Sequence, residues 1–201
     1  YKMTNLSYSG ESNFNSESNI KDNILRILII YSVLSFIILT LLNFSGLRLF
    51  NSLNMSMTLV SGGGFLPTDY INKIISTNFQ KIIFIFSLII SMLNFYLLFN
   101  LSNKKTLIKE HKEDLYLIIL SIVFCILIYF NNNQGLDIII SVVSSLANSG
   151  LTLVKSDNNL SLYFLLIAII GGSLISNTSG IKLTRFYILL KITYSEIIKL
   201  I

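Results

Sequence analysis

Long uncharged runs of apolar residues are the feature that most restricts what this chain can fold into. A helix of about 20 apolar residues spans a bilayer. Three uninterrupted runs, of 18, 18 and 16 residues, are Ile27 to Phe44, Ile82 to Phe99 and Leu115 to Phe130. A fourth run begins at Leu160 and is interrupted at Gly171 and Gly172. We therefore predict four membrane spans, of which the last is broken.

Composition points to the same class of protein. Of the 201 residues, 53% are hydrophobic and 12% are charged, with a mean hydropathy of +0.71, whereas charged residues make up about a quarter of a soluble domain. We predict an all-α integral membrane protein. The one cysteine, Cys125, lies inside the third run and is interpreted as a small buried hydrophobe. His111 lies in the charged stretch KEHKED and is interpreted as a solvated loop residue.

The distribution of basic residues predicts the orientation, because cytoplasmic loops carry an excess of lysine and arginine. The N-terminal tail, the middle loop and the C-terminal segment hold 11 of the 15 basic residues, so we assign them to the cytoplasm. The four basic residues of the other side are Arg48, Lys73, Lys81 and Lys155. The cytoplasmic set is Lys2, Lys21, Arg26, Lys104, Lys105, Lys109, Lys112, Lys182, Arg185, Lys191 and Lys199.

The two connections on the non-cytoplasmic side share one pattern. The first contains TLVSGGGFLPTDY (Thr58 to Tyr70), and the second contains ISVVSSLANSGLTLV (Ile140 to Val154). Each places a serine-containing, helix-length stretch before a glycine-containing turn, between two spans. The chain is therefore interpreted as a tandem repeat of span, short helix, loop and span, with a re-entrant hairpin in each unit. Gly64 and Gly150 take the same position in their units.

Irregular backbone at membrane depth must be buried in protein or line a watery cavity. Glycine permits such a loop to turn its carbonyl oxygens inward, where they replace the water shell of a cation. The short helix points its partially negative C-terminal end the same way. We therefore interpret both loops as parts of a cation filter rather than as flexible outer turns. The residues predicted to bind the ion are Ser61, Gly62, Gly63, Gly64, Asn148, Ser149 and Gly150.

Two stretches resemble the Trk/Ktr/HKT superfamily of potassium transporters, and the TrkH-type membrane subunit in particular. LFNSLNMSMTLVSGGGFLPTD (Leu49 to Asp69) resembles a pore helix and filter that usually ends in GGFSTHD. IIGGSLISNTSGIKLTRFYILLK (Ile169 to Lys191) resembles FIGGCAGSTGGGIKVIR at the end of the third unit. The family carries four membrane–pore–membrane units around one pore, so the resemblance places this chain as the second and third. The residues that match the second motif in order are Gly171, Gly172, Ser176, Thr178, Gly180, Ile181, Lys182 and Arg185.

The resemblance implies that K⁺ is the transported ion and that no organic cofactor is involved. It also implies a homodimer in the cell inner membrane, regulated by a cytosolic nucleotide-binding subunit of the TrkA type. The segment Gly171 to Gly180, here called the gate loop, is implied to lie in the membrane below the filter and to gate it. Lys182 and Arg185 are implied to mark the cytoplasmic mouth. The gate-loop residues assigned in this way are Gly171, Gly172, Ser176, Asn177, Thr178 and Gly180.

The chain departs from the family pattern at two places. The second filter reads NSGL from Asn148 where the family commonly has TTGF, and Leu174, Ile175 and Asn177 stand where glycine, alanine or serine is typical. A sodium or mixed monovalent cation transporter and a non-conducting structural paralogue therefore stay open as alternatives. The choice between a channel and H⁺ or Na⁺ symport also stays open.

The predicted organisation has five parts, and no catalytic motif such as HExxH or GxSxG accompanies them, so an enzyme is not predicted. Two filter segments cannot close a fourfold ring. We therefore expect either a piece of a longer protein with two further units or an association of two copies. The parts are a polar cytoplasmic loop (1–23), a first pore unit (24–101), a cytoplasmic loop (102–114), a second pore unit with a broken last helix (115–180) and a basic cytoplasmic-side helix (181–201).

Overall fold

The computed structural model describes residues 20–68, 70–94, 97, 112–131, 135–153, 158–174 and 176–200. This part of the chain is built from α-helices, which confirms the all-α class predicted from the sequence. A single 3₁₀ turn lies at Ile71–Lys73. The helices are α1 (Ile20–Phe44), α2 (Leu49–Ser61), α3 (Asn78–Met92), α4 (Lys112–Asn131), α5 (Gly135–Leu146), α6 (Asn158–Ile170) and α7 (Leu183–Leu200).

The helices form two successive units of the same construction. In the first unit, α1 packs against the short helix α2 and against α3. In the second unit, the short helix α5 packs against both α4 and α6. Helix α5 also packs against α3, and this contact joins the two units. The order of long helix, short helix, loop and helix thus occurs twice, as the sequence repeat predicts.

Helix α1 has a buried side and an exposed side, and both are apolar. Leu34, Ile38 and Leu42 recur every four residues and are buried against the neighbouring helices. On the other side, Ile29 and Phe36 are 57% and 67% exposed. Large exposed apolar surfaces are rare on soluble monomers but are expected where lipid is the solvent. The exposed face of α1 is therefore of the kind that lipid or another apolar helix covers.

Helix length gives a more restricted result. Within the part of the chain that the structure describes, α1 is the helix found long and apolar enough to cross a membrane, through the 18 residues Ile27–Phe44 with a mean hydropathy of 2.5. Shorter apolar helices occupy Asn78–Met92, Gly135–Leu146 and Leu160–Ile170.

The short helices α2 and α5 each bury serine side chains. Ser56 and Ser141 are fully buried, and each hydroxyl donates a hydrogen bond to a carbonyl of the preceding turn, Leu53 at 2.8 Å and Asp137 at 2.9 Å. A buried hydroxyl without a partner costs free energy, and these internal bonds remove that cost. Serine is also small, so the helices can pack closely among the longer ones.

The second apolar run does not form one continuous helix. Helix α3 ends at Met92, and Leu93 takes an extended conformation. The reason lies in bonds to distant parts of the chain. The Met92 carbonyl accepts a hydrogen bond from the Ser173 N–H at 3.2 Å, and the Asn94 N–H donates to an Asp114 carboxylate oxygen at 2.9 Å. These partners draw the backbone out of the helical pattern.

Two predicted boundaries also differ from the structure. Helix α1 begins at Ile20, four residues before the predicted start of the first unit, while residues 1–19 lie outside the described residues. The predicted cytoplasmic loop 102–114 ends in the first turn of α4, where Glu113 and Asp114 are buried. The rest of that loop, with His111, lies outside the described residues.

Candidate functional site

The loops that follow the two short helices have the same backbone conformation. In the first loop Gly62 and Gly64 have φ angles of +66° and +69°. In the second loop Asn148 and Gly150 have φ angles of +53° and +67°. Positive φ is accessible mainly to glycine and, at a smaller frequency, to asparagine. The left-handed positions therefore recur with the same spacing, which matches the alignment of Gly64 with Gly150.

Hydroxyl groups of the short helices hold both loops at equivalent positions. Thr58 Oγ1 donates to the Phe65 carbonyl at 2.5 Å. Ser144 Oγ accepts a hydrogen bond from the Leu151 N–H at 2.8 Å and lies 2.9 Å from Ser149 Oγ. The Thr58–Phe65 and Ser144–Leu151 bonds each span seven residues and close the loop back onto the helix before it. The sequence repeat is therefore also a repeat of hydrogen bonds.

The two loops approach each other closely, with carbonyl oxygens of the second facing the first. A β-carbon placed on Gly64 would lie 2.5 Å from the Ser149 carbonyl oxygen. A β-carbon on Gly62 would lie 3.7 Å from the Ala147 oxygen and 4.0 Å from the Asn148 oxygen. Three consecutive carbonyl oxygens thus face the first loop. A row of this kind is how a filter substitutes for the hydration shell of an ion.

Six of the seven residues predicted to form the filter lie in these two loops, and the seventh, Ser61, is the last residue of α2. The loop residues are not equivalent. A β-carbon on Gly63 would lie 3.1 Å from the Phe65 ring and 3.1 Å from Ser61 Oγ, so it meets only its own loop. A β-carbon on Gly150 would meet nothing within 4 Å, in contrast to its counterpart Gly64. The side of the second loop at Gly150 is thus open within the described residues.

The gate loop leaves α6 and returns to its starting point. The Ile181 N–H donates to the Ile169 carbonyl at 2.9 Å and closes the neck of the loop. At this neck Gly171 and Gly180 have φ angles of +71° and +92°. A β-carbon on Gly180 would lie 2.9 Å from the Gly171 α-carbon, so a larger residue does not fit. The last apolar run is therefore broken by a compact loop, as its glycines predict.

Lys182 fills the inside of the gate loop. Its ammonium group donates to the Ser176 carbonyl at 3.2 Å, to Thr178 Oγ1 at 3.0 Å, and to the Thr178 carbonyl. These bonds hold the loop closed. Lys182 therefore crosslinks the loop from within, whereas the side chain of Arg185 is exposed. Lys182 itself has a φ of +72°, which is uncommon for a residue other than glycine. The assignment of both residues to the cytoplasmic mouth stays a prediction.

Glu113 and Asp114, which the sequence did not single out, bond to the gate loop and to the segments beside it. Glu113 Oε1 accepts hydrogen bonds from the Leu174 N–H at 3.1 Å and the Thr184 N–H at 3.3 Å. Asp114 Oδ1 accepts the bond from Asn94 described above. The pair therefore ties together the gate loop, the start of α7 and the end of α3. The signal in the sequence is a carboxylate pair directly before an apolar run.

Asp114 lies in the first turn of α4, before the uncharged run that we assign to the membrane. Its side chain is 1% exposed. Burial raises the pKa of Asp114 to about 6, and the neighbouring Glu113 carboxyl acts in the same direction. The bond from the Asn94 N–H and the Ser173 side chain oppose this change in the pKa. Asp114 therefore changes its charge close to physiological pH.

Two tandem units, each with a short helix that ends at a glycine-containing loop, and an apolar outer surface define the class. The chain is an all-α membrane protein with the architecture of a potassium-channel-like pore.

Comparisons with known proteins agree with this class. No family model matches the chain. The chain is 30% identical over 185 residues to an uncharacterized cation transporter of Methanocaldococcus jannaschii. The matched region covers 89% of this chain and 37% of that protein. It is also similar to the crystal structure of the potassium transporter TrkH from Vibrio parahaemolyticus, with a TM-score of 0.79 and 19% identity over 92% of this chain and 43% of that one.

The chain spans less than half the length of both proteins. The resemblance to a TrkH-type membrane subunit that the sequence motifs indicate is confirmed at the level of the fold, since the chain matches part of the TrkH structure.

Proposed function

We propose that this chain forms part of a potassium uptake pathway, in which ions pass a carbonyl-lined filter that an intramembrane loop gates. The observation that carries the proposal is the close approach of the two filter loops. The carbonyl oxygens of Ala147, Asn148 and Ser149 all lie close to the glycines of the first loop. The names of the two similar proteins, a cation transporter and a potassium transporter, support the same reading.

Helix electrostatics favour a cation in that space. Helices α2 and α5 both end where the filter loops begin, at Ser61 and Leu146. The C-terminal end of a helix carries a partial negative charge, and that charge acts over about one turn. The filter residues themselves are neutral. Carbonyl dipoles and helix ends therefore attract a cation without holding it as tightly as a carboxylate would, which suits conduction.

The contrast between Gly64 and Gly150 supports a larger ring. Gly64 meets the carbonyl of Ser149 in the next unit, whereas Gly150 meets nothing within 4 Å. In a ring of similar units each filter glycine faces a carbonyl of the following unit, so Gly150 is positioned to face a further filter segment. We propose that two more units complete the ring, from a longer chain or from a second copy. The assembly then crosses the inner membrane several times.

The gate loop is positioned to control this pathway from the cytoplasmic side. Its Asn177 carbonyl lies 3.7 Å from a β-carbon built on Gly62, so the loop reaches the filter. Its other end continues into α7, where Arg185 and Lys191 are exposed. We propose that a cytosolic nucleotide-binding subunit of the TrkA type acts on α7 and thereby moves the gate loop. A homodimer is part of the same proposal.

A sodium or mixed cation pathway is the second candidate, and one residue favours it. Asn148 occupies the left-handed position that Gly62 occupies in the first loop. A side chain at this position makes the two filter segments chemically unequal, and a less symmetric ring of carbonyls selects less strictly between ions. The first loop has no such substitution. A non-conducting paralogue is the third reading, and flux measurements separate all three.

The experiment uses the full-length protein in a host that lacks potassium uptake. We expect growth on low potassium and uptake of rubidium, with little uptake of sodium. Equal rubidium and sodium flux would support the second candidate. A protein that reaches the membrane in normal amount and carries neither ion would overturn the proposal. Stimulation of flux by a proton or sodium gradient would identify symport, and insensitivity to both would identify a channel.

A further inference from the structure

Two asparagine side chains connect the filter to the gate loop. Asn177, in the gate loop, donates from Nδ2 to the Val60 carbonyl at 2.9 Å. Asn148, in the second filter loop, donates from Nδ2 to the Ser179 carbonyl at 3.1 Å and to the Ala168 carbonyl at 3.0 Å. Each amide therefore reaches from its own element to the other. Together they attach the gate loop to the last turn of α2 and to the second filter loop.

The acceptors of these bonds lie at the end of α2 and at the neck of the gate loop. Val60 is in the last turn of α2, where carbonyl groups have no partner within the helix. Ser179 lies at the neck of the gate loop, and its carbonyl is in tight contact with Gly171. A gate loop that moves away from the filter must break the bond to Val60. A neck that opens must break the bond from Asn148.

Asn148 has a second connection to the ion path. Its own carbonyl faces Gly62 across the space between the filter loops, while its side chain bonds to the gate loop. Asn148 thus contributes its carbonyl to the contact between the filter loops and its side-chain amide to the contact with the gate loop. An ion bound by that carbonyl restrains the backbone of Asn148. The same restraint then acts on the amide that holds the neck.

Both asparagines stand where this chain departs from the pattern of the family that it resembles. Asn148 begins NSGL where TTGF is common, and Asn177 stands among small residues. A carboxamide provides two N–H donors at the end of a two-carbon side chain, whereas glycine and alanine provide none and a hydroxyl has a shorter reach. The two bonds therefore depend on the carboxamide groups at these two positions.

We propose that Asn148 and Asn177 are positioning residues that couple ion occupancy of the filter to closure of the gate loop. This inference rests on the proposed function, since it requires that a cation binds between the filter loops. Coupling of two sites is reciprocal. A bound ion favours the closed loop through the two asparagines, and the closed loop in turn favours the bound ion.

The test measures how fast a buried cysteine in the gate loop reacts with a thiol reagent. Ser173 is fully buried, so Ser173→Cys in a Cys125→Ala background provides the reactive group, in full-length protein reconstituted in vesicles. Labelling is compared in potassium chloride and in choline chloride. We expect labelling to be about fivefold slower in potassium, because a net hydrogen bond of about 1 kcal/mol changes a population about fivefold.

Variants of the asparagines decide the outcome. Asn177→Leu keeps the shape of the side chain without its donors, and Asn148→Thr introduces the common family residue. Each should bring the ratio of the two labelling rates close to one. The matched control is Asn54→Ala, since Asn54 donates to the Phe50 carbonyl within its own helix at 2.9 Å. This control should keep the full potassium dependence.

Rubidium flux in the same vesicles separates the two proposals. If flux is present but potassium does not slow labelling, or slows it equally in the asparagine variants, the coupling is refuted and the transport function stands. If the unsubstituted protein carries no ion, the transport function fails and the coupling fails with it. A general loosening of the fold would raise labelling in both salts without changing their ratio, and that result also contradicts the coupling.

Discussion

Gly64 and Ser149 belong to different pore units, yet a β-carbon on Gly64 would lie 2.5 Å from the carbonyl oxygen of Ser149. This contact joins backbone to backbone, so no flexible side chain can move aside to relieve it. The contact therefore limits how closely the two filter loops can approach each other. The glycine is required by the neighbouring unit as well as by its own turn.

We expect Gly64→Ala to reduce rubidium uptake at least tenfold while the protein still inserts in the membrane. The new methyl group collides with Ser149, and the φ of +69° adds strain of about 1 kcal/mol in a left-handed position. Gly46→Ala is the matched control. Gly46 has a φ of +88° but nothing within 4 Å, so it introduces the strain without the collision. Equal losses in both variants would contradict the filter assignment.

Gly150→Ala tests the proposed ring. Nothing lies within 4 Å of this position in the described residues, so the chain by itself predicts only the small effect of strain. If a further filter segment faces Gly150, uptake should fall as far as it does in Gly64→Ala. Uptake like that of Gly46→Ala would show that no carbonyl approaches there. Rubidium uptake, corrected for the amount of membrane-inserted protein, provides the comparison.

We expect Lys182→Met to raise the open probability about tenfold without changing ion selectivity. The substitution keeps most of the apolar stem and removes the ammonium that bonds Ser176 and Thr178. A hydrogen bond from a charged group contributes about 1.5–3 kcal/mol, and about 1.4 kcal/mol is a factor of ten. Single-channel recording of the reconstituted full-length protein measures the effect. Lys191→Met, on the exposed surface of α7, should leave the open probability unchanged.

We expect Asp114→Asn to stabilise the protein above about pH 6. Burial raises the pKa of Asp114 from 3.8 to about 6, so the fold favours the protonated acid. That contribution is complete below about pH 4 and is lost as the pH rises through 6, and the whole effect is at most about 3 kcal/mol. Thermal unfolding between pH 5 and 8 should show falling stability in the unsubstituted protein and a flatter profile in the variant.

Glu196→Gln is the control for this pH dependence. Glu196 is exposed on α7, where it pairs with Lys199 at 2.6 Å. Because an exposed pair contributes little, the profile of this variant should follow that of the unsubstituted protein. A profile of Asp114→Asn that falls as steeply as the original would show that Asp114 is not the group responsible.

Labelling of single cysteines in intact cells tests the orientation. In a Cys125→Ala background, Asn72→Cys should react with a membrane-impermeant reagent from outside. Ser195→Cys should react only after permeabilisation. Both residues are exposed, Asn72 in the 3₁₀ turn after the first filter loop and Ser195 on α7. Reaction of the α7 position in intact cells would reverse the topology that the basic residues predict.

The sequence predicted irregular loops after both short helices because the conformation of such loops depends on residues close together in the chain. Positive φ angles at Gly62, Gly64 and Gly150 follow from the absence of a β-carbon. The broken end of α6 follows from the glycines and small polar residues after it. Asn148 adopts the same left-handed turn without a glycine, and only the repeat of the pattern pointed to it.

By itself the sequence thus determined the class of protein, the order of helices and the positions of the irregular loops, since each depends on residues close together in the chain. The partners of the polar side chains were decided by the tertiary structure alone. Glu113 bonds Thr184 across 71 residues, and Asn177 bonds Val60 across 117. Such pairs form only when the helices pack, because a buried donor or acceptor takes whichever partner the packing brings within about 3 Å. For the same reason α3 ends at Met92, inside a run whose composition predicts a longer helix.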